Sequence, residues 1–168
     1  MFNGKKVSHG NKMPQGNVRL SGRKPVRRNG ILQYSALIEL VVGFMGLPNT
    51  ILLLIMYLQK SQPLLEQLEQ TGVSVGKFGI SVMITLLLYV SMTAAGFLGT
   101  FSNGKKGKEN LPYIAGLALI GCMVIYMAVN ILVLKNLFNL TAVFWCIIHL
   151  FYCHGAIRNR QTMLLADR

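Results

Sequence analysis

Residues Pro112 to Ile157 read PYIAGLALIGCMVIYMAVNILVLKNLFNLTAVFWCIIHLFYCHGAI, and Lys135 is the one formally charged side chain in the run. A bilayer core about 30 Å thick is crossed by about 20 helical residues rising about 1.5 Å each. One helix over this whole stretch is far too long for any bilayer. The chain must therefore reverse, and Lys135-Asn136, with Asn139 close behind, is the polar break at which it can. The reading is a helical hairpin with spans over about 112–134 and 137–157.

Two further apolar segments precede it, Tyr34 to Tyr57 and Phe78 to Phe101, each long enough to cross once. The expected fold is thus an all-α integral membrane protein, a four-helix transmembrane bundle with spans at 34–57, 78–101, 112–134 and 137–157. Composition agrees. The chain is 52% hydrophobic and 13% charged, whereas a soluble domain carries about a quarter charged residues. Residues 1–30 have no apolar period and are rich in Gly, Asn and Pro. Such a segment cannot bury enough surface to offset its ordering entropy, so a disordered basic tail is expected there. Residues 158–168 are expected to form a short C-terminal tail.

Charge placement sets the orientation. Lys and Arg number 17 against five Asp and Glu, for a net charge of +12. Eight of the basic residues precede Ile31 (Lys5, Lys6, Lys12, Arg19, Arg23, Lys24, Arg27 and Arg28). Lys105, Lys106 and Lys108 fall in the second loop, and Arg158, Arg160 and Arg168 follow the last span. The first loop holds Lys60 and Lys77, and the third only Lys135. The positive-inside rule then puts both termini and the second loop in the cytosol, of a plasma membrane or a bacterial inner membrane. The even number of spans agrees with that alternation. A secretory signal is not expected, because about thirty polar residues precede the first apolar run. A mitochondrial presequence shares the arginine content but is normally amphipathic and serine-rich.

The first loop contains Pro63 followed by LLEQLEQ. Leu64, Leu65 and Leu68 beside Glu66 and Glu69 suit either a short interfacial helix or a plain loop.

Small residues let membrane helices approach, and polar ones rarely face lipid. At 100° per residue, Ala36, Glu39, Gly43, Gly46 and Thr50 share one stripe of the first span. Ser81, Thr85, Met92, Ala95 and Gly99 do so on the second, and Ala115, Ala118 and Cys122 on the third. Asn139, Ala142, Cys146, His149, Cys153 and Ala156 do so on the fourth. Each span is expected to pack through that seam.

Several residues in these seams carry chemistry. Glu39 is the sole acid within a span, and an intramembrane acid needs a partner. His149 on the fourth span sits at a depth differing by roughly 5 Å, within reach of a glutamate side chain. The other reading sends Glu39 to the interface or to Arg27 or Arg28. Pro48-Asn49 interrupts the first span, where proline removes a backbone hydrogen bond, making either a static kink or a hinge. Cys146, His149 and Cys153 lie at i, i+3 and i+7. Thiolate and imidazole suit zinc or copper, but about 10 Å of helix separates the two cysteines, so packing is the simpler reading and no metal or other cofactor is expected. Trp145 sits too near mid-span for an interfacial belt and is expected to pack. The odd count of three cysteines gives no disulfide framework. Asn139-Leu140-Thr141 matches the glycosylation pattern but abuts a span, so it is expected to stay unmodified.

Three functions fit these residues. The first is a non-catalytic scaffold, assembly or regulatory subunit of a membrane complex, in a homo-oligomer or a hetero-oligomer with other membrane proteins. Its Arg23, Lys24, Arg27 and Arg28 would dock to anionic lipid headgroups or an acidic partner, at about 1 kcal/mol per basic residue near the surface. The second is an oligomeric channel or small transporter using Glu39 and His149. The third is a redox or metal-binding membrane protein using Cys146, His149 and Cys153. No nucleophile–base set, His-Glu-x-x-His or phosphate-binding glycine loop occurs in the sequence, so an enzyme is disfavoured. A nucleic-acid partner is the least favoured use of the basic tail.

Overall fold

The computed structural model describes residues 28–135 and 140–165. These residues form five helices and no strand: α1 (Gly30–Leu58), α2 (Gln62–Thr71), α3 (Val75–Ser102), α4 (Asn110–Leu132) and α5 (Leu140–Leu165). Among the described residues, α1, α3 and α4 are long and apolar enough to cross a membrane.

Local signals set the helix ends. Asn29 caps α1 by accepting from the Leu32 N–H at 3.3 Å, and Ser74 caps α3 by accepting from the Lys77 N–H at 3.3 Å. The first loop is helical. Pro63 sits in the first turn of α2, where its missing N–H costs nothing, and Gly72 ends the helix at φ 67. Leu64 and Leu68 of α2 are buried, while Leu65 is half-buried.

Two boundaries differ from those expected. Helix α5 does not stop at Ile157 but runs on to Leu165. Asn159 and Met163, read as part of an exposed tail, are buried, so the helix keeps a packed face beyond its last apolar stretch. At the other end Asn29, assigned to the disordered tail, is the cap of α1. Residues 1–27, including Arg23, Lys24 and Arg27, lie outside the described residues, as do 136–139 with the expected reversal and Asn139.

The four long helices form a ring in which α1 packs on α3 and α5, and α4 also packs on α3 and α5. The closest approach is between α1 and α3. A Cβ placed on Gly43 would lie 2.5 Å from Thr93 Oγ1 and 2.6 Å from the Thr93 backbone nitrogen. One placed on Gly96 would collide with the backbone of Ala36 and Leu40. These glycines remove the side chains that would hold the two backbones apart. Gly155 does the same for α5 against Leu32 of α1.

The ring carries large apolar side chains on its outside and several polar ones within an otherwise apolar core. Outward-facing side chains include Phe44, Met45, Leu132, Phe144 and Leu150, all exposed, while Glu39, Thr50, Asn130 and His149 are buried. Several hydroxyls inside the helices are satisfied locally, whereas that of Thr100 on α3 is buried without a partner. Ser35 donates to the Ile31 carbonyl at 2.8 Å, Thr50 to Gly46 at 2.9 Å and Thr93 to Tyr89 at 2.8 Å.

Of the small-residue seam expected on the third span, Ala115 and Cys122 pack at the edge of the core. Ala118 is exposed, and α4 turns Gly116, Leu119 and Met123 inward instead. A thioether and a leucine fill the centre of the ring better than alanines, which leave it underpacked. Pro48 and Asn49 both lie on the exposed side of α1. The helix continues through them without a break.

Candidate functional site

The interior of the ring is organised around α5. Its residues His149, Tyr152, Cys153 and Ala156 are brought inward by helical spacing, and each meets a different neighbour.

His149 Nδ1 lies 2.6 Å from Oε1 of Glu39 on α1. Both residues are enclosed, Glu39 at 0% and His149 at 1% exposure. Glu39 therefore bonds histidine rather than Arg28 or the end of the bundle. A charged group at such burial is costly without a partner, and each of the two supplies the other with one. Glu39 Oε2 and His149 Nε2 have no hydrogen-bond partner. Each such group costs about 1–3 kcal/mol when buried.

One turn further along α5, the Tyr152 hydroxyl donates to the Ala95 carbonyl of α3 at 2.7 Å. Tyr152 is 0% exposed. It is admitted by two glycines, since a Cβ on Gly99 would lie 2.8 Å from its ring and one on Gly116 3.3 Å. Tyr152 thus ties α5 to α3 and packs on α4 beside the Glu39–His149 pair. Nothing in the sequence reading singled it out. The available signal was its position three residues after His149, which places it on the same inward side. Tyr152→Phe should lower stability by about 1–2 kcal/mol without changing oligomeric state, as read from thermal unfolding and gel filtration in detergent.

The candidate metal ligands do not converge. Cys146 Sγ contacts Met127 Sδ at 3.6 Å, Cys153 Sγ donates to the Gly116 carbonyl at 3.4 Å, and His149 faces Glu39. All three cysteines are free thiols, and among the described residues no group of three His, Cys, Asp or Glu side chains is placed to hold a metal ion. Residues seven apart on one helix are simply too far from one another to share an ion. Trp145 packs edge-on against Phe144, with ring centroids 5.4 Å apart.

A second polar assembly closes one end of the ring. The Asn29 N–H donates to Asn103 Oδ1 at 2.9 Å, and Asn103 Nδ2 donates back to the Asn29 carbonyl at 2.8 Å. Asn29 Nδ2 donates to the Gly155 carbonyl at 3.2 Å, and the Gly104 N–H donates to Asn159 Oδ1 at 3.2 Å. Arg160 Nε donates to Asn110 Oδ1 at 2.9 Å, with its guanidinium 4.8 Å above the Tyr113 ring. The start of α1, the end of α3, the start of α4 and the end of α5 therefore meet in one clasp. Its asparagines were read as tail and loop residues, because a polar residue outside an apolar run carries no periodic signal.

The chain matches no protein-family model, no curated protein and no solved structure.

Proposed function

We propose that this chain is a polytopic membrane protein with four spans and that it serves as a non-catalytic scaffold, assembly or regulatory subunit of a membrane complex. The outer surface supports the membrane placement, since a girdle of exposed Phe, Met, Leu and Ile side chains surrounds the ring, while the polar Glu39 and His149 are turned into its apolar core. In this reading α5 is the fourth span, and its Arg158 and Arg160 leave the bilayer at the cytosolic face. Arg28, Lys105, Lys108, Arg158 and Arg160 lie in or next to the helix ends joined by the asparagine clasp. That grouping favours both termini being cytosolic.

The observation that carries the scaffold reading is the sealed interior. Glu39, His149, Tyr152 and Met92 are at most 1% exposed, in a ring whose α1 and α3 backbones touch. Such an interior holds a shape, and the working surfaces are then the outer faces and the basic end. Purification of the full chain in mild detergent is expected to recover it in a larger complex. Recovery of a lone monomer that conducts ions in liposomes would overturn the reading.

A second reading is favoured by the unpaired Glu39 Oε2 and His149 Nε2. Incompletely satisfied titratable groups at the centre of a bundle are the usual equipment of proton-linked transport. This reading requires a second conformation that opens the pair to one face. A pH-driven flux in proteoliposomes, lost in Glu39→Gln, is its expected signature.

A further inference from the structure

The clasp borders a cleft lined by Arg28, Asn29, Gly30, Ile31, Arg158, Asn159 and Thr162, with a volume of about 460 Å³. Three independent features of its wall favour a negative charge. The first is the start of α1, a helix of 29 residues. The Leu32 N–H is taken by the Asn29 side chain and the Gln33 N–H by the Asn29 carbonyl. Gly30 and Ile31, as the first two residues, have no intrahelical acceptor for their own N–H groups, and both line the cleft. The second is the pair Arg28 and Arg158, both exposed and both lining the cleft, one preceding α1 and the other on α5.

The third is Asn159. It is 2% exposed, its Oδ1 is held by the Gly104 N–H, and its Nδ2 has no partner. The bond from Gly104 fixes which end of the amide is the acceptor, so the free end is a donor. A buried amide donor without an acceptor is costly, and it sits in a wall already rich in donors. Among the described residues no carboxylate lines the cleft. Ile31 and Ile157, at the adjoining edges of α1 and α5, are 36% and 42% exposed, so the outer apolar surface reaches the level of the cleft.

We propose that this cleft is a phosphate site, in which the Gly30 and Ile31 N–H groups, Asn159 Nδ2, Arg28 and Arg158 hold the phosphate of an anionic lipid headgroup. Helix N-termini with flanking guanidinium groups bind phosphate through aligned N–H donors and bidentate charge-assisted bonds. The lipid source rests on the membrane reading above, whereas the phosphate chemistry does not. It differs from attraction of the basic tail to a charged surface because it depends on particular donors.

The test uses the full chain in a neutral detergent at about 0.3 M salt, where exposed charges are largely screened. One arm adds phosphatidic acid or phosphatidylglycerol in micelles and counts retained lipid by native mass spectrometry. The other adds inorganic phosphate and follows line broadening in its phosphorus NMR signal. Asn159→Asp keeps the acceptor for Gly104 but replaces the free donor by a carboxylate oxygen. Arg28→Gln/Arg158→Gln removes only exposed side chains, so it reports even if Asn159→Asp does not fold. Arg160→Gln, outside the cleft, is the charge control.

Retention of anionic lipid that falls at least tenfold in the cleft variants, but not in Arg160→Gln, is the expected result. Equal binding of inorganic phosphate with the same variant pattern supports the site and assigns it to a free phosphate instead. No binding in either arm, or an equal loss in Arg160→Gln, overturns the site. A chain that stays soluble after detergent removal would refute the membrane reading while leaving the phosphate arm valid.

Discussion

Gly96→Leu should prevent the bundle from closing. A Cβ at position 96 would overlap the Leu40 backbone nitrogen and lie 2.6 Å from the Ala36 carbonyl oxygen, a position no real side chain occupies. The obstacle is backbone, not the end of a flexible side chain, so it cannot swing aside. α1 and α3 would have to separate, and their separation also pulls apart Gly43 and Thr93 along the same seam. Overpacking a well-filled core costs about 1–3 kcal/mol. Forcing apart a backbone contact adds the packing lost along both helices, so we expect a loss above about 3 kcal/mol. The measurement is unfolding in detergent, followed by helicity and by gel-filtration profile. Gly121→Ala is the matched control. It sits on α4 with nothing within 4 Å of the added Cβ, and alanine there should be neutral or stabilising by about 0.5–1 kcal/mol. If both variants unfold alike, the α1–α3 seam is not what closes the ring.

The second large effect is at the Glu39–His149 pair. Glu39→Leu leaves an imidazole with two unpaired nitrogens in the interior, and His149→Leu leaves a carboxyl group with none of its bonds. Breaking a buried pair by removing one partner costs about 3–5 kcal/mol. Replacing both with leucine removes every orphaned atom at once, and such apolar replacements of buried pairs are often neutral or stabilising. The double variant is therefore expected to be more stable than either single one, with a coupling of at least about 2 kcal/mol in a double-mutant cycle. It also separates the two proposed functions. A folded double variant that keeps its partner complex makes the pair a latch between α1 and α5. A folded double variant that loses a proton-driven flux present in the wild type makes the pair the path.

These two sites differ in how readable they are. Glu39 and His149 are the rare polar residues inside apolar runs, and their distances from the same end of the bundle follow from counting residues at a constant rise. Their meeting needs only that α1 and α5 be neighbours, which the fold supplies. The α1 seam through Gly43 is readable for a similar reason, because close helix approach tolerates so few residue types. Ala118 shows where that reasoning stops. A lone alanine is as acceptable against lipid as against another helix, so its face is undetermined until the partners' volumes are known. Leu119 and Met123 face inward, in one core cluster with Met92 of α3 and Tyr152 of α5.

Tyr152 and the asparagine clasp were opaque for another reason. Tyr152 is buried only because Gly99 on α3 and Gly116 on α4 both withdraw from it, a coincidence of three helices that no single one encodes. Asn29, Asn103 and Asn159 are separated by 74 and 56 residues along the chain, and each taken alone reads as a polar residue at a helix end.

Hydrophobic run length and charge placement follow from the solvent alone, so the helical class, the apolar segments and the charge asymmetry are properties of the sequence by itself. At Pro112 to Ile157 they require a reversal, whatever the neighbouring helices do. That α4 turns Leu119 and Met123 inward rather than Ala118, that α2 is a helix, that α5 continues to Leu165 and that the clasp leaves a donor-lined cleft were decided only in three dimensions. Those outcomes depend on the volumes and unpaired hydrogen-bonding groups of residues far apart in the chain. Such terms acquire a sign only once the helices are side by side.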